Sequence, residues 1–477
     1  MKTQSRIDRE SAFATGRGGW SIWKTLLASL AAATLVAVAL GYGPMINSGD
    51  WWRICPSGHF TAMGWQPLQE TYPLSAKGAV PSSVLALLVQ IGLWLQLAWG
   101  SQVYWTPLVF IALCAMFLGG CLVAARACGT RADHWALASV ILVGALYGFY
   151  FKSFYQEATT LALLPWFLGG LFALREGRPG LFVVVTCLML GSKVENLFVI
   201  PIALAALALH AYPRKRTWLA VALLGIAATA GLSFLVQHGP DYRTPNDYNR
   251  YYSGIGWSSM GLEDAPPRTF DAMRRYAYAR LPKSLGKPEA MPSRDAELMG
   301  TTYWMTGYDL SVLAAAGSPA DKARFREIVD RGSLGNFLGY FARNPGALPG
   351  YLWAPLKLAV RFDYDLSYIR TEASRTAGAW SWLRAADEFV LARLGYLLLG
   401  AFAVALLAAA RRRSLRGALL AGYFFLGAPL FCVLGDGYYE FEKHLTSLWF
   451  FAPLVVFLCV VDFDRCASRQ SRGPLSG

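Results

Sequence analysis

Charge is scarce in this chain. Only 16% of its residues are Asp, Glu, Lys or Arg, against 55% apolar, a balance that excludes an ordinary soluble domain, which needs a charged surface. Histidine is sparse as well, and the eight cysteines form no CxxC and no cluster with histidine, which speaks against a structural zinc site. Cys114, Cys121, Cys128, Cys187, Cys432 and Cys459 are most simply small apolar residues in or near helices, and the long segment 238–390 has no cysteine to build a disulfide. There is no P-loop, no GxGxxG after a strand, no HExxH and no GxSxG, so the commonest phosphate-cradling, zinc-protease and serine-hydrolase constellations are missing.

What the chain has instead is a succession of apolar runs. A hydrocarbon core about 30 Å thick needs roughly 20 apolar residues per helix. Runs near 23–45, 103–125, 134–150, 158–174, 180–192, 197–212, 217–237, 391–410, 417–434 and 446–462 meet or approach that length. The expected fold is therefore an all-α polytopic membrane protein with about ten transmembrane helices. The first run follows a basic N-terminus without a clear small-residue cleavage site, which reads as a retained anchor. The segment Val84 to Trp99, with Gln90 and Gln96 among apolar residues, reads as an amphipathic helix on the membrane surface.

The net charge of +14 follows the same topology. Arg6, Arg9, Arg17, Arg126, Arg131, Arg175, Arg178, Arg214, Lys215, Arg216, Arg411, Arg412, Arg413 and Arg465 fall in short connections on one side, the positive-inside pattern. Both termini are expected in the cytoplasm of a bacterium and segments 46–102 and 238–390 outside its inner membrane. No solvated domain carries a basic patch with interleaved aromatics, so nucleic acid is not an expected partner. The chain divides into a membrane module over 1–237 with a first outer loop at 46–102, an outer, mainly helical domain over 238–390, and C-terminal membrane helices with a tail over 391–477. In the outer domain, Ser318-Pro319-Ala320-Asp321 starts one helix, and a second is expected from Ser333 to Arg343, stopped by Asn344-Pro345.

Three constellations carry chemistry. Asn47-Ser48-Gly49-Asp50-Trp51-Trp52-Arg53 follows the first apolar run, so a carboxylate and an arginine sit where a membrane helix meets the outer water layer. The turns Tyr150 to Glu157 and Ser192-Lys193-Val194-Glu195-Asn196 place Glu157, Lys193 and Glu195 at the ends of spans on the same side. Ionisable groups at that depth cost a few kcal/mol each on insertion scales, so they call for a local pair that snorkels to the interface or for a substrate. Gly435-Asp436-Gly437 leads to Glu440, Lys443 and His444 at i, i+3 and i+4, one face of the helix that follows, either an exposed capped face or one turned to the site of Asp50.

A lipid-phosphate sugar keeps its tail in the bilayer and its phosphate at the headgroups, so its transferase must work at that boundary. Departure of the phosphate requires cations, and the acceptor hydroxyl requires a base. Asp50 fits the base; Arg53, Lys193 and Lys443, with His444, fit the phosphate. Trp51, Trp52 and Trp65 fit sugar faces, and equally an interfacial aromatic belt. The DxD patterns Asp363-Tyr364-Asp365 and Asp462-Phe463-Asp464 have no nucleotide-binding domain around them, and no metal is assigned, although Asp363 and Asp365 are of a kind that binds one.

Taken in order, the Asn-x-Gly-Asp-Trp-x-Arg motif, the 192–196 turn, Asn249-Arg250-Tyr251-Tyr252-Ser253-Gly254-Ile255 and the 435–444 segment resemble bacterial membrane hexose transferases of S-layer and surface-glycan synthesis, within the GT-C glycosyltransferase architecture. The resemblance implies Asp50 as catalytic carboxylate, Arg53 and Lys193 as phosphate contacts, and Trp52, Glu157, Glu195, Asp436, Glu440, Lys443 and His444 around the substrates. Those substrates would be a polyprenyl-phosphate-linked sugar and a glycan or glycolipid acceptor, with no cofactor. The chain departs from the pattern at Glu195, where an amide is expected, and in the stretch Lys283 to Arg294. Two other classes compete: a glycolipid flippase or transporter, expected to show inverted repeats and broken helices, and a polysaccharide polymerase or ligase, expected to carry paired outer arginines, of which Arg274-Arg275 is the one adjacent pair.

Overall fold

The computed structural model describes residues 81–210, 216–237, 333–351, 394–411, 415–430 and 448–459, with short pieces at 27–32, 45–46, 68–69 and 71–74 and single positions at 35, 54, 319 and 330. Helices dominate them. The first outer loop also contains β-structure, which the all-α expectation lacks. Strand β1 (Met45–Ile46) pairs antiparallel with β2 (Leu68–Gln69), and β3 (Thr71–Pro73) pairs antiparallel with β4 (Val103–Trp105), Tyr72 opposite Tyr104.

Between β3 and β4 runs α1 (Val84–Ala98), begun by Ser83, whose hydroxyl accepts from the Ala86 N–H at 3.2 Å. This helix does not separate into the polar and apolar faces expected of it. Its buried stripe holds Leu85, Ala86, Val89, Gly92, Leu93 and Gln96, while Leu87, Ile91, Trp94 and Leu95 are exposed on the other side. Gln96 is turned inward because it completes a strand: its Oε1 accepts from the Trp105 N–H at 2.5 Å and its Nε2 donates to the Trp105 carbonyl at 3.3 Å. The Tyr104 hydroxyl donates to the Val89 carbonyl at 3.1 Å, so β4 is bound to α1 at two levels, through the Trp105 backbone and the Tyr104 side chain.

The next helices are α2 (Pro107–Ala127), α3 (Arg131–Tyr147), α4 (Glu157–Arg175), α5 (Gly180–Ser192), α6 (Val199–His210) and α7 (Arg216–Gln237). Proline at its first position, where no N–H is needed, starts α2. A reciprocal box starts α3: the Thr130 hydroxyl accepts from the Asp133 N–H, and the Asp133 carboxylate accepts from the Thr130 N–H. Segment 103–105, expected as the start of a span, is strand instead, and 148–150 belongs to a 3-10 turn, Gly148–Lys152. Among the described residues three helices are long and apolar enough to cross a membrane, with mean hydropathy 2.6, 1.4 and 2.3 for Pro107–Ala127, Glu157–Arg175 and Trp218–Val236; the other apolar helices there are shorter.

Of these three α4 is the least apolar and the most enclosed, 89% buried over its central window against 17% for Trp218–Val236. It is the axis of the bundle. Small residues let its neighbours approach: a Cβ on Gly170 would lie 2.8 Å from the Phe182 Cα of α5, and one on Gly120 of α2 would lie 2.8 Å from the Trp166 backbone nitrogen. The Trp166 indole N–H donates across the interface to the Met116 carbonyl at 2.6 Å. On α7, Trp218, Leu224, Leu232 and Leu235 are exposed, as on a helix at the periphery of a bundle whose solvent is lipid.

Further along, α8 (Leu334–Arg343) starts at Ser333, whose hydroxyl accepts from Asn336 N–H, and stops at Asn344, as the capping pattern predicts. Then come α9 (Leu394–Arg411), α10 (Leu415–Gly422), which continues through a π-helical turn at Tyr423–Gly427, and α11 (Ala452–Phe457). The helix start at Ser318 and the DxD patterns fall outside the described residues, apart from Pro319.

Candidate functional site

Both ends of α4 carry a buried ion pair. Eighteen residues at 1.5 Å each put Glu157 and Arg175 about 27 Å apart along the axis, close to the thickness of a hydrocarbon core. At the Arg175 end, Arg175 Nη1 donates to Asp133 Oδ1 at 2.6 Å, and its guanidinium lies over the rings of Phe172 and Phe457 at 5.4 and 5.6 Å. Burial pushes the Asp133 carboxyl up, but the Arg175 guanidinium and the N–H groups of Gly129 and the Thr130 box outweigh it and hold it below the usual carboxylate value.

At the Glu157 end the connection from α3 is buried, not a solvent loop. Lys152, Ser153, Gln156 and Glu157 are all at most 5% exposed, as are Thr159 and Thr160 in the first turn of α4. The turn satisfies itself locally: Ser153 Oγ donates to the Tyr150 carbonyl at 2.8 Å and accepts from the Tyr155 N–H, and Thr159 Oγ1 donates to the Gln156 carbonyl. Burial pushes Lys152 down, to about 8.

Against this turn lies the junction from α5 to α6. Lys193 is extended, ending α5 and opening the 3-10 turn Val194–Phe198. Its Nζ donates to Glu157 Oε1 at 2.6 Å and lies 3.3 Å from Glu195 Oε1. The Lys193 side chain is 3% exposed, that of Glu157 0% and that of Glu195 21%. One turn on, Asn196 Nδ2 donates to Thr160 Oγ1 and to the Met189 carbonyl, both at 2.8 Å. Glu157 and Thr160 on one element thus meet Lys193 and Asn196 on the other, each pair three residues apart. Among the described residues, two buried acceptors in this cluster, Glu157 Oε2 and Asn196 Oδ1, have no hydrogen-bond partner.

Two other parts of the chain reach the same end of α4. From the first outer loop, Tyr72 of β3 packs edge-on to Phe154 with ring centroids 6.2 Å apart. From the C-terminal helices, Phe450 packs on Tyr147 and Tyr150, Phe451 on Phe198, and Phe424 on both Phe198 and Trp449. The Tyr423 hydroxyl, at the start of the π-helical turn, donates to the Phe198 carbonyl at 3.1 Å.

Of the residues singled out from sequence, the structure brings together Glu157, Lys193 and Glu195. The expected local pair of Lys193 with Glu195 exists, but the shorter bond is the long-range one to Glu157. Asp50, Trp52, Arg53, Asp436, Glu440, Lys443 and His444 lie outside the described residues, as do Asn249 to Ile255. Sequence reasoning missed Asn196, Thr160 and Tyr423 as partners and missed the Asp133–Arg175 pair. The signal for that pair was an acid and a base at the ends of two apolar runs, where an unpaired charge is costly.

A bundle of apolar helices with its ionisable groups gathered at the two ends of a central helix defines an integral membrane protein. Over residues 69–252 the chain is similar to the family described as YfdI N-terminal transmembrane domain, a match that covers less than half of the chain and includes Glu157, Lys193 and Glu195. No curated protein and no solved structure matches it.

Proposed function

We propose that this protein is a glycosyltransferase of GT-C architecture with about ten transmembrane helices, which moves a hexose from a polyprenyl-phosphate carrier to a surface glycan or its lipid-linked precursor. The observation that carries the reading is the grouping of the first outer loop, the 150–157 turn, the 193–198 turn and the helices flanking 431–447 around one charged end of α4. A donor whose tail stays in the bilayer needs its phosphate and sugar handled at such a boundary. A transporter would instead favour polar groups near the middle of the bundle, whereas the middle of α4, Leu161 to Pro165, is apolar and buried.

On this reading the arginine-rich end of α4, with Arg126, Arg131, Arg175 and Arg178, faces the cytoplasm of a bacterial inner membrane together with both termini, and the Glu157 end faces outward. Asp50 takes the proton of the acceptor hydroxyl as that oxygen attacks the anomeric carbon from the side opposite the phosphate, which leaves with the bond electrons and inverts the centre. Arg53, Lys443 and His444 balance the charge on the departing phosphate.

In a deletion strain, the wild-type gene should restore surface-glycan composition and Asp50→Asn should leave it short of one hexose, with the lipid-linked donor accumulating, at matched protein levels. Full restoration by Asp50→Asn would remove that carboxylate from the mechanism and return the transporter to first place.

A further inference from the structure

We propose that α3 carries a binding site for an anionic phospholipid at the Arg175 end of the bundle, with the headgroup on Arg131 and His134 and an acyl chain along the exposed face of the helix. The site does not depend on the sugar chemistry proposed above.

Every exposed residue of α3 falls at position 131, 134, 135, 138, 141, 142 or 145, spacings of three and four that draw one stripe along a helix. The opposite face is packed into the bundle, where Val140 is fully buried and a Cβ on Gly144 would run into the Phe117 ring. Along the stripe the chemistry changes in one direction. Arg131 and His134 begin it, Trp135 follows at 65% exposed, and Ile141 and Leu142 lie beyond, with alanines at 138 and 145. Ser139, beside the stripe, turns its hydroxyl back onto the Trp135 carbonyl at 2.9 Å, so its polar group does not interrupt the apolar part. Trp135 to Ala145 is ten residues, about 15 Å at 1.5 Å each, one leaflet of a hydrocarbon core about 30 Å thick. A cation, an interfacial aromatic and an apolar run match, in order, the phosphate, the glycerol level and the acyl chain of a phospholipid.

Charge selects an anionic lipid over a zwitterionic one. Asp133 is the only acid between 126 and 135, and it is turned inward, bound to Arg175 and to the N–H groups of Gly129 and Thr130. Arg131 is exposed and makes no ion pair among the described residues. Its planar guanidinium matches a pair of phosphate oxygens, and a zwitterionic headgroup would bring a second cation to the same place. His134 Nδ1 lies 2.8 Å from the Thr130 carbonyl, which only accepts, so the proton of the neutral ring sits there and Nε2 is left as an acceptor. A headgroup glycerol offers it a hydroxyl, and phosphatidylglycerol therefore meets both residues.

The test is native mass spectrometry of the full-length protein released from detergent, titrated with phosphatidylglycerol and with phosphatidylcholine of the same acyl chains. Wild type is expected to bind its first phosphatidylglycerol about tenfold more tightly than phosphatidylcholine, as for one hydrogen bond to a charged group. Arg131→Gln should bring the two affinities together. Arg178→Gln removes a charge at the same end of the bundle that is already paired with Glu176, and should leave the preference intact. Equal affinities in wild type, a preference that survives Arg131→Gln, or an equal loss in both variants overturns the assignment. So does a lipid-free dimer of wild type, which would give the stripe to a second copy of the chain.

Discussion

Glu157 and Arg175 are the first and last residues of one helix, and each is held by a charge from a different neighbour, Lys193 at 2.6 Å and Asp133 at 2.6 Å. A helix pinned by buried pairs at both ends cannot slide along its axis without breaking one of them. That fixes the depth of α4 in the bundle and, with it, the level at which the Glu157 cluster is presented.

The Asp133 end should show this as a pH-dependent stability. The folded carboxyl is held below its unfolded value, so its contribution is complete above about pH 4 and is lost as pH falls through the folded value. Asp133→Asn leaves Arg175 buried beside a neutral amide and should cost about 3–5 kcal/mol at neutral pH. Thermal unfolding in detergent from pH 7 downward should show the gap between wild type and Asp133→Asn closing below about pH 4. A gap independent of pH would mean that shape and not charge is lost.

At the other end, Lys193→Met leaves the fully buried Glu157 without its cation and should cost about 3–5 kcal/mol, whereas Glu157→Gln leaves Lys193 its contact with Glu195 and should cost less. The double variant, which removes both charges, should lose well under the sum of the two. Additive losses in thermal unfolding would show that the two side chains do not stabilise one another.

Much of this framework was legible from sequence, and the exceptions have physical reasons. The runs expected over 158–174 and 180–192 match helices Glu157–Arg175 and Gly180–Ser192 closely because Glu157, Arg175 and Lys193 mark where apolar character stops. Ser333 and Asn344 bound α8 because caps act through backbone groups three or four residues away. Gln96 was misleading: a polar side chain in an apolar helix reads as a water-facing residue, and whether it turns instead to the Trp105 backbone depends on a strand nine residues on. The Glu157–Lys193 and Asp133–Arg175 pairs span 36 and 42 residues, distances at which no periodicity speaks and only the cost of an unpaired charge in the bilayer hints at a partner. Short strands β1 to β4 carry too few residues for an alternation to be read.

The glycines test the packing of α4 without touching its charges. In Gly170→Ala the new Cβ meets the Phe182 backbone, which cannot turn aside, so α4 and α5 must separate; about 1–3 kcal/mol should be lost. Gly225→Ala on α7 meets nothing within 4 Å and should be neutral or stabilising, since alanine is the better helix former. Equal melting temperatures for the two variants would mean that α4 and α5 are not in the close contact described.

Lys152 offers the last prediction, with the opposite sign to Asp133. Burial lowers its folded value to about 8, below the value of about 10.4 for a free lysine. Between those two values the unfolded chain binds the extra proton, so stability attributable to Lys152 is lowest below pH 8 and rises toward pH 10, by at most about 1.4 kcal/mol per pH unit. Lys152→Met keeps the length of the stem and removes the charge. It should therefore be more stable than wild type at pH 7, with the difference shrinking as pH rises from 8 to 10 in scanning calorimetry of the purified protein. A methionine variant that is less stable at pH 7 would show that the ammonium is held by interactions strong enough to offset its burial, and Lys152 would then join Lys193 as a cation that the outward end of α4 is built to keep.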